Sequence, residues 1–165
     1  MSGNGAQYFE DLPVDLRVVG TSITLTEAHL VLYAGITGDF YKLHMDAHAA
    51  AASPFGQRVA HGPFTLALTI GQLAQRFTNL DWQVEAILGM TDLRFLAPLF
   101  IGDTLTPLAR IAERRERETN GLVTIEMTGR NQDDRDIFTG FFTLLIAKRG
   151  SAASTEAPVE AAAAG

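Results

Sequence analysis

Cysteine is absent from the 165 residues. That excludes disulfide staples, thiolate nucleophiles and thiolate-held metals, and it fits a reducing compartment. Long apolar runs are missing too: none approaches the ~18 residues a membrane-spanning helix requires. The opening stretch, Met1-Ser2-Gly3-Asn4-Gly5-Ala6-Gln7, carries neither the basic nor the apolar region of a secretory leader. A cytoplasmic location with no membrane partner is therefore expected. Positive charge is scarce, with 13 Lys and Arg against 19 Asp and Glu, a net charge of −6. That balance argues against nucleic acid as a partner, and it leaves any phosphorylated ligand to a local group of cations. Phosphate-cradling Gly-Lys-Ser/Thr loops and Gly-x-Ser-x-Gly nucleophile elbows are also lacking.

What is present is an ordinary globular composition, 47% hydrophobic and 19% charged. A chain of this length buries roughly 70% of its unfolded surface on folding. One domain over residues 1–149 is expected, followed by an Ala-rich tail over 150–165 with too few large apolar groups to fold. Residues 26–35 read as a helix with Thr24 or Thr26 as N-cap, closed by glycines. The Ala-rich run after Asp46 reads as a short helix capped by that residue and stopped before Pro54. From Pro63 to about Phe77 a longer helix is apolar on nearly all sides, with Leu66, Ile70, Leu73, Ala74 and Phe77 in one stripe. Such a helix must be surrounded by other structure.

Beyond Trp82 the pattern turns to strands. Residues 122–130 alternate between apolar and polar, and 137–147 are apolar on both faces, as in a central strand. Asn120-Gly121 reads as the hairpin turn before them, and residues 16–25 as a first strand. Long antiparallel strands with one greasy helix predict an α+β fold in which a curved sheet wraps that helix. The basic group Arg110, Arg114, Arg115 and Arg117, interleaved with glutamates, reads as a solvated face.

The chemistry concentrates between residues 37 and 62. Asp39 and His44 lie five positions apart across a segment that Gly35 and Gly38 break, so a turn can bring carboxylate and imidazole together. Such a pair can orient a water and move its proton. The same residues also suit an Asx turn and a satisfied, half-buried histidine. Gly62 sits where the buried helix begins, with unpaired N–H groups and a positive dipole end. Pro63 removes one donor, leaving the Gly62 N–H to hold a polarised carbonyl, or simply to turn a loop into a helix. His61 is expected to hold that turn. His44, Asp46 and His48 form no complete zinc set, so no metal is expected. Tyr41, Lys42, Phe55, Arg58, His61 and Arg94 are weaker candidates for substrate contact, with Lys42, Arg58 and Arg94 the candidates for phosphates.

The run Gly38-Asp39, His44-Met45-Asp46, Ala49 to Ala52, Phe55-Gly56 and Val59-Ala60-His61-Gly62 resembles the signature of MaoC-like dehydratases, the (R)-specific enoyl-CoA hydratases of the hotdog fold. A second block, Leu93-Arg94-Phe95-Leu96-Ala97-Pro98-Leu99 with Gly102-Asp103-Thr104, extends the resemblance over roughly residues 8–148. It implies a hotdog domain that adds water to an enoyl-CoA, or removes it from a 3-hydroxyacyl-CoA. Asp39 and His44 would activate the water and the Gly62 N–H would hold the thioester oxygen. It implies no cofactor beyond the coenzyme A of the substrate, and a homodimer or higher homo-oligomer with an acyl-CoA partner. The family commonly has Asn-Pro where this chain has Tyr41-Lys42, and some members carry a serine at the position of Ile70, beside Thr69. These departures leave linear, branched, dicarboxylic and ring-derived acyl groups open. A hotdog thioesterase using Asp39 and a non-catalytic acyl-CoA binding module are the rival expectations.

Overall fold

The computed structural model of the chain describes residues 5–150; the expected disordered tail lies, from residue 151 on, outside them. Helix α1 spans Glu27–Thr37, with Thr26 as N-cap and Gly38 at a left-handed φ of 78° closing it through an N–H bond to the Ala34 carbonyl. Glycine tolerates that conformation without a Cβ penalty. A single helical turn, α2 (Lys42–Met45), follows with no capping residue to announce it. Helix α3 covers Ala47–Ala51. Its cap, Asp46, accepts bonds from the His48 and Ala49 N–H groups at 2.9 and 3.1 Å. Those bonds, that of Ala49 first, hold the Asp46 carboxyl below its ordinary pKa.

Helix α4 runs over Gly62–Asn79 with Pro63 in its first turn, where the missing N–H costs least. Its buried face is Thr65, Thr69, Leu73 and Phe77, one step round from the stripe the sequence predicts. The expectation that α4 is enclosed on all sides needs correction, since Ala67, Gly71 and Ala74 are exposed in the single chain. One face packs on the sheet, and among the described residues nothing covers Ala67, Gly71 and Ala74 on the other.

The sheet has strands β1 (Arg17–Val19), β2 (Ile23–Thr24), β3 (Val84–Phe95), β4 (Thr104–Glu116), β5 (Asn120–Arg130) and β6 (Asp136–Ala147). Its order is β1-β4-β5-β6-β3, with β2 also on β4, and every pairing is antiparallel. The expected single strand over 16–25 is split in two. Gly20 donates to the Pro107 carbonyl at 2.8 Å, and a proline opposite has no N–H to return the bond.

The expected Asn120-Gly121 turn is also corrected: both residues open β5, and residues 117–119 make the turn. Gly121 has a different task. A Cβ there would stand 2.1 Å from the Phe9 ring, so the missing side chain is space for that buried phenyl group. Of the Arg110 group, Arg110 and Arg114 lie on β4 and make structural contacts. Arg110 pairs with Asp15 and Glu126, and Arg114 lies 4.2 Å over the Phe9 ring.

The core between sheet and helix is built from Leu73, Phe77, Ile111, Ile125, Met127, Phe138, Phe142 and Ile146, with Trp82 stacked on Phe77 at 4.3 Å. Each fully buried side chain of this kind contributes about 1.5–3 kcal/mol. Sheet and core thereby fix where α4 begins. No helix among the described residues is long and apolar enough to cross a membrane.

Candidate active site

Three side chains from separate pieces of chain meet at the N-terminal end of α4. One ligand atom each from Asp39, His44 and His61 lie within 4.8 Å of one another. Asp39 follows the left-handed Gly38 on the turn after α1, and one of its oxygens accepts the Tyr41 N–H at 3.2 Å. That is an Asx turn, and it occupies only one carboxylate oxygen. His44, on α2, has its Nδ1 2.8 Å from the Val59 carbonyl. A carbonyl oxygen only accepts, so Nδ1 carries a proton, and in the neutral tautomer of the ring the lone pair is on Nε2. Both bland uses of these residues are realised, and each leaves one reactive atom over.

His61 is almost fully buried, at 1% exposure. Its Nε2 lies 3.0 Å from the Asp39 backbone carbonyl, and its Nδ1 has no partner among the described residues. Its ring lies against His44, with centroids 3.9 Å apart and planes 30° apart, and against Tyr33 at 4.8 Å. Burial is the main force lowering the His61 pKa; the bond to Asp39 opposes it, and the positive charge His44 can carry adds to it. Asp39, His44 and His61 are also close enough to one another to share a metal ion, and the bonds of His61 Nε2 to the Asp39 carbonyl and of His44 Nδ1 to the Val59 carbonyl leave His61 Nδ1 and His44 Nε2 as the nitrogens open to one.

His61 is the N-cap residue of α4, and its carbonyl accepts the Thr65 N–H at 3.0 Å and the Thr65 hydroxyl at 3.3 Å. The Gly62 N–H bonds to no acceptor among the described residues, as the first N–H groups of a helix do not. Beside it opens a cavity of about 350 Å³ with an apolar lining that includes Phe55, Thr65, Phe95, Leu96 and Ile137. Neither Asp39 nor His44 is in its wall. Val59, which lines the cavity, links the two regions through its carbonyl bond to His44.

Of the weaker candidates, Phe55 lines the cavity and is 42% exposed. Tyr41 stands edge-on to His44 at 6.1 Å. Lys42 is exposed on α2. Arg58 is tied to Glu27 at 3.1 Å, and Arg94 bonds the neighbouring Leu93 carbonyl at 3.0 Å. Asp46 and His48 are not part of the Asp39 group, since Asp46 serves as the α3 cap.

Two residues escaped the sequence reading as parts of the site. Tyr33 packs on His61, yet nothing in its helical context marks it. Phe95 stands where a Gly62 side chain would be, with ring atoms 3.0–3.2 Å from an ideal Cβ.

A family model for the MaoC like domain matches residues 14–131. The chain belongs to the MaoC-like dehydratase family. The 3-hydroxybutyryl-CoA dehydratase of Methylorubrum extorquens is 36% identical over 106 residues, 64% of this chain and 64% of that protein. The chain spans 29% of the length of one curated relative that it matches and 64% of others. Among solved structures, the R-hydratase PhaJ1 of Pseudomonas aeruginosa has a TM-score of 0.72 and 27% identity, covering 92% of this chain and 93% of that one. A Mycobacterium tuberculosis protein with a double hotdog fold has a TM-score of 0.75 at 23% identity, over 93% of this chain and 47% of its own. The MaoC-like domain here accordingly has the hotdog fold, with α4 against its antiparallel sheet.

Proposed function

We propose that the protein is a hydro-lyase acting on CoA thioesters, interconverting an enoyl-CoA and a 3-hydroxyacyl-CoA. The observation that carries this reading is the convergence of the Asp39 carboxylate and the His44 imidazole beside a helix whose first N–H is unpaired among the described residues. A separation of up to 4.8 Å suits one water that bonds both groups at ~2.8 Å across its near-tetrahedral angle.

In hydration the water oxygen forms a bond to the β-carbon and the carbon–carbon double bond opens toward the carbonyl. Imidazole is a stronger base than carboxylate, so the water proton comes to rest on His44 Nε2 and the Asp39 carboxylate balances its charge. The negative charge moves to the thioester oxygen, which the Gly62 N–H and the α4 dipole stabilise. The proton then passes from His44 to the α-carbon, completing the addition of one water. Dehydration retraces these steps. The apolar cavity beside Gly62 takes the acyl group, and no metal or redox cofactor enters.

Relatives named as a dehydratase and an (R)-specific hydratase support the reaction class. The reading includes a cytoplasmic homodimer. Among the described residues strand β3 pairs only with β6, and it exposes Val84, Ile87 and Met90, an edge a second copy can use. The test is a panel of linear, branched and ring-derived enoyl-CoAs. Loss of the conjugated-thioester absorbance without release of free thiol is expected. Free thiol released from saturated acyl-CoAs would make the protein a thioesterase, and binding without turnover would make it a carrier module.

A further inference from the structure

We propose that His61 is a positioning residue, which through one donated bond and one stacked ring holds Asp39 and His44 in register with the Gly62 amide. The proposal rests on the hydro-lyase reading and extends it to a residue outside the proton transfer.

The geometry singles out this side chain. Asp39, His44 and Gly62 come from a turn, a four-residue helix and the start of α4. Asp39 is tied to the Tyr41 N–H and His44 to the Val59 carbonyl, and neither bond sets the one residue against the other. His61 touches every piece. Its Nε2–H donates to the Asp39 carbonyl at 3.0 Å, which fixes the turn from which the carboxylate springs. One ring face covers His44, and Tyr33 of α1 also packs against the ring. Its own backbone is the N-cap of α4, bonded to the N–H and hydroxyl of Thr65. The proton-transfer pair is thus referred, through a single buried ring, to the peptide unit that presents Gly62.

The protonation state is part of the device. The titratable groups facing His61 are Tyr33, Asp39 and His44. With Nε2–H committed to Asp39, a second proton could go only to Nδ1, which is buried and unpartnered. That charge would sit against the ring on which His44 must carry its own. A neutral His61 leaves His44 free to take the proton of the water.

The test compares H61Q, which keeps an N–H at about the reach of Nε2, with H61F, which keeps an aromatic ring and loses the donor. Steady-state kinetics are run with the enoyl-CoA found in the panel above, alongside thermal melts. H61F is expected to lose about 100-fold in kcat with KM little changed, the size of effect a ~1 Å misplacement of reacting groups produces. H61Q should recover most of that loss. Turnover by H61F at the wild-type rate overturns the proposal, as does H61Q being as slow as H61F at similar thermal stability. Should H61F fail to fold, H61N, whose amide stops short of Asp39, takes its place, and equal rates in H61N and H61Q count against the proposal.

An independent arm needs no turnover. Nitrogen-15 spectra of the wild-type rings should show His61 as the neutral Nε2–H tautomer. A protonated Nδ1 in neutral His61 overturns the proposal. If wild type hydrates no substrate, the hydro-lyase reading falls, and the tautomer still decides whether His61 is bonded as described.

Discussion

Asp39 and His44 each meet a structural need with one polar atom and leave another over, which is why their local sequence supports two readings. The Asx turn uses one carboxylate oxygen of Asp39, and the Val59 carbonyl uses one nitrogen of His44. Spacing and the helix-breaking Gly38 made their meeting legible in the sequence. What the sequence could not carry was the burial of His61, because that depends on Tyr33 and on His44 packing across gaps of 28 and 17 positions.

A pH dependence follows from that burial. Burial lowers the His61 pKa, so below the pH at which a free imidazole titrates the unfolded chain binds a proton that the folded chain refuses. Stability is then fully present above about pH 6.5, the unperturbed value for histidine, and declines as the pH falls below it toward the lowered folded value. Thermal melts of wild type and H61Q across this range should show a steeper acid loss in wild type. Parallel curves would mean that His61 is not held neutral.

Among the elements, α1, α3 and α4 were legible because caps and punctuation are local: Thr26, Asp46, Gly38 and Pro63 each act within a turn of the helix end they mark. The errors came from long-range pairing. Pro107 splits the first strand from the opposite side of the ladder. Gly121 looks like a turn glycine and is in fact clearance for Phe9, more than a hundred positions away. The α4 stripe was misplaced because Thr65 and Thr69 read as polar, whereas both are buried, and Thr65 returns its hydroxyl to the His61 carbonyl.

The Gly121 assignment predicts that Gly121→Ala is costly although alanine suits a strand better than glycine does. Phe9 is 4% exposed and cannot swing away. A loss of about 1–3 kcal/mol is expected, as for other overpacked cores, read as a lower midpoint in denaturant. An unchanged midpoint would show that the Phe9 ring does not lie over Gly121.

For the whole molecule, the curved sheet and its greasy helix were readable from the switch between a period of 3.6 and one of 2, and the family match over residues 14–131 agrees with them. The two-faced apolar pattern marked β6 as a strand inside the sheet, but no pattern marked β3 as its edge. Strand β3 ends the sheet with Val84, Ile87 and Met90 exposed, and α4 leaves Ala67 and Ala74 uncovered. The proposed dimer accounts for the free β3 edge. Ile87→Lys should halve the mass seen by sedimentation, since a buried unpaired charge at an interface opposes association. A wild-type chain that is monomeric at all concentrations would remove that part of the account.

The central claim is that Asp39 and His44 act together on one water. Its most direct test is enoyl-CoA hydration by wild type, Asp39→Asn, His44→Gln and the double variant. The account predicts a loss of about 10²–10⁴ for each single variant, the usual contribution of a positioned acid or base, and little further loss in the double variant because the pair works as a unit. Turnover by Asp39→Asn at the wild-type rate, or losses that multiply in the double variant, would contradict it.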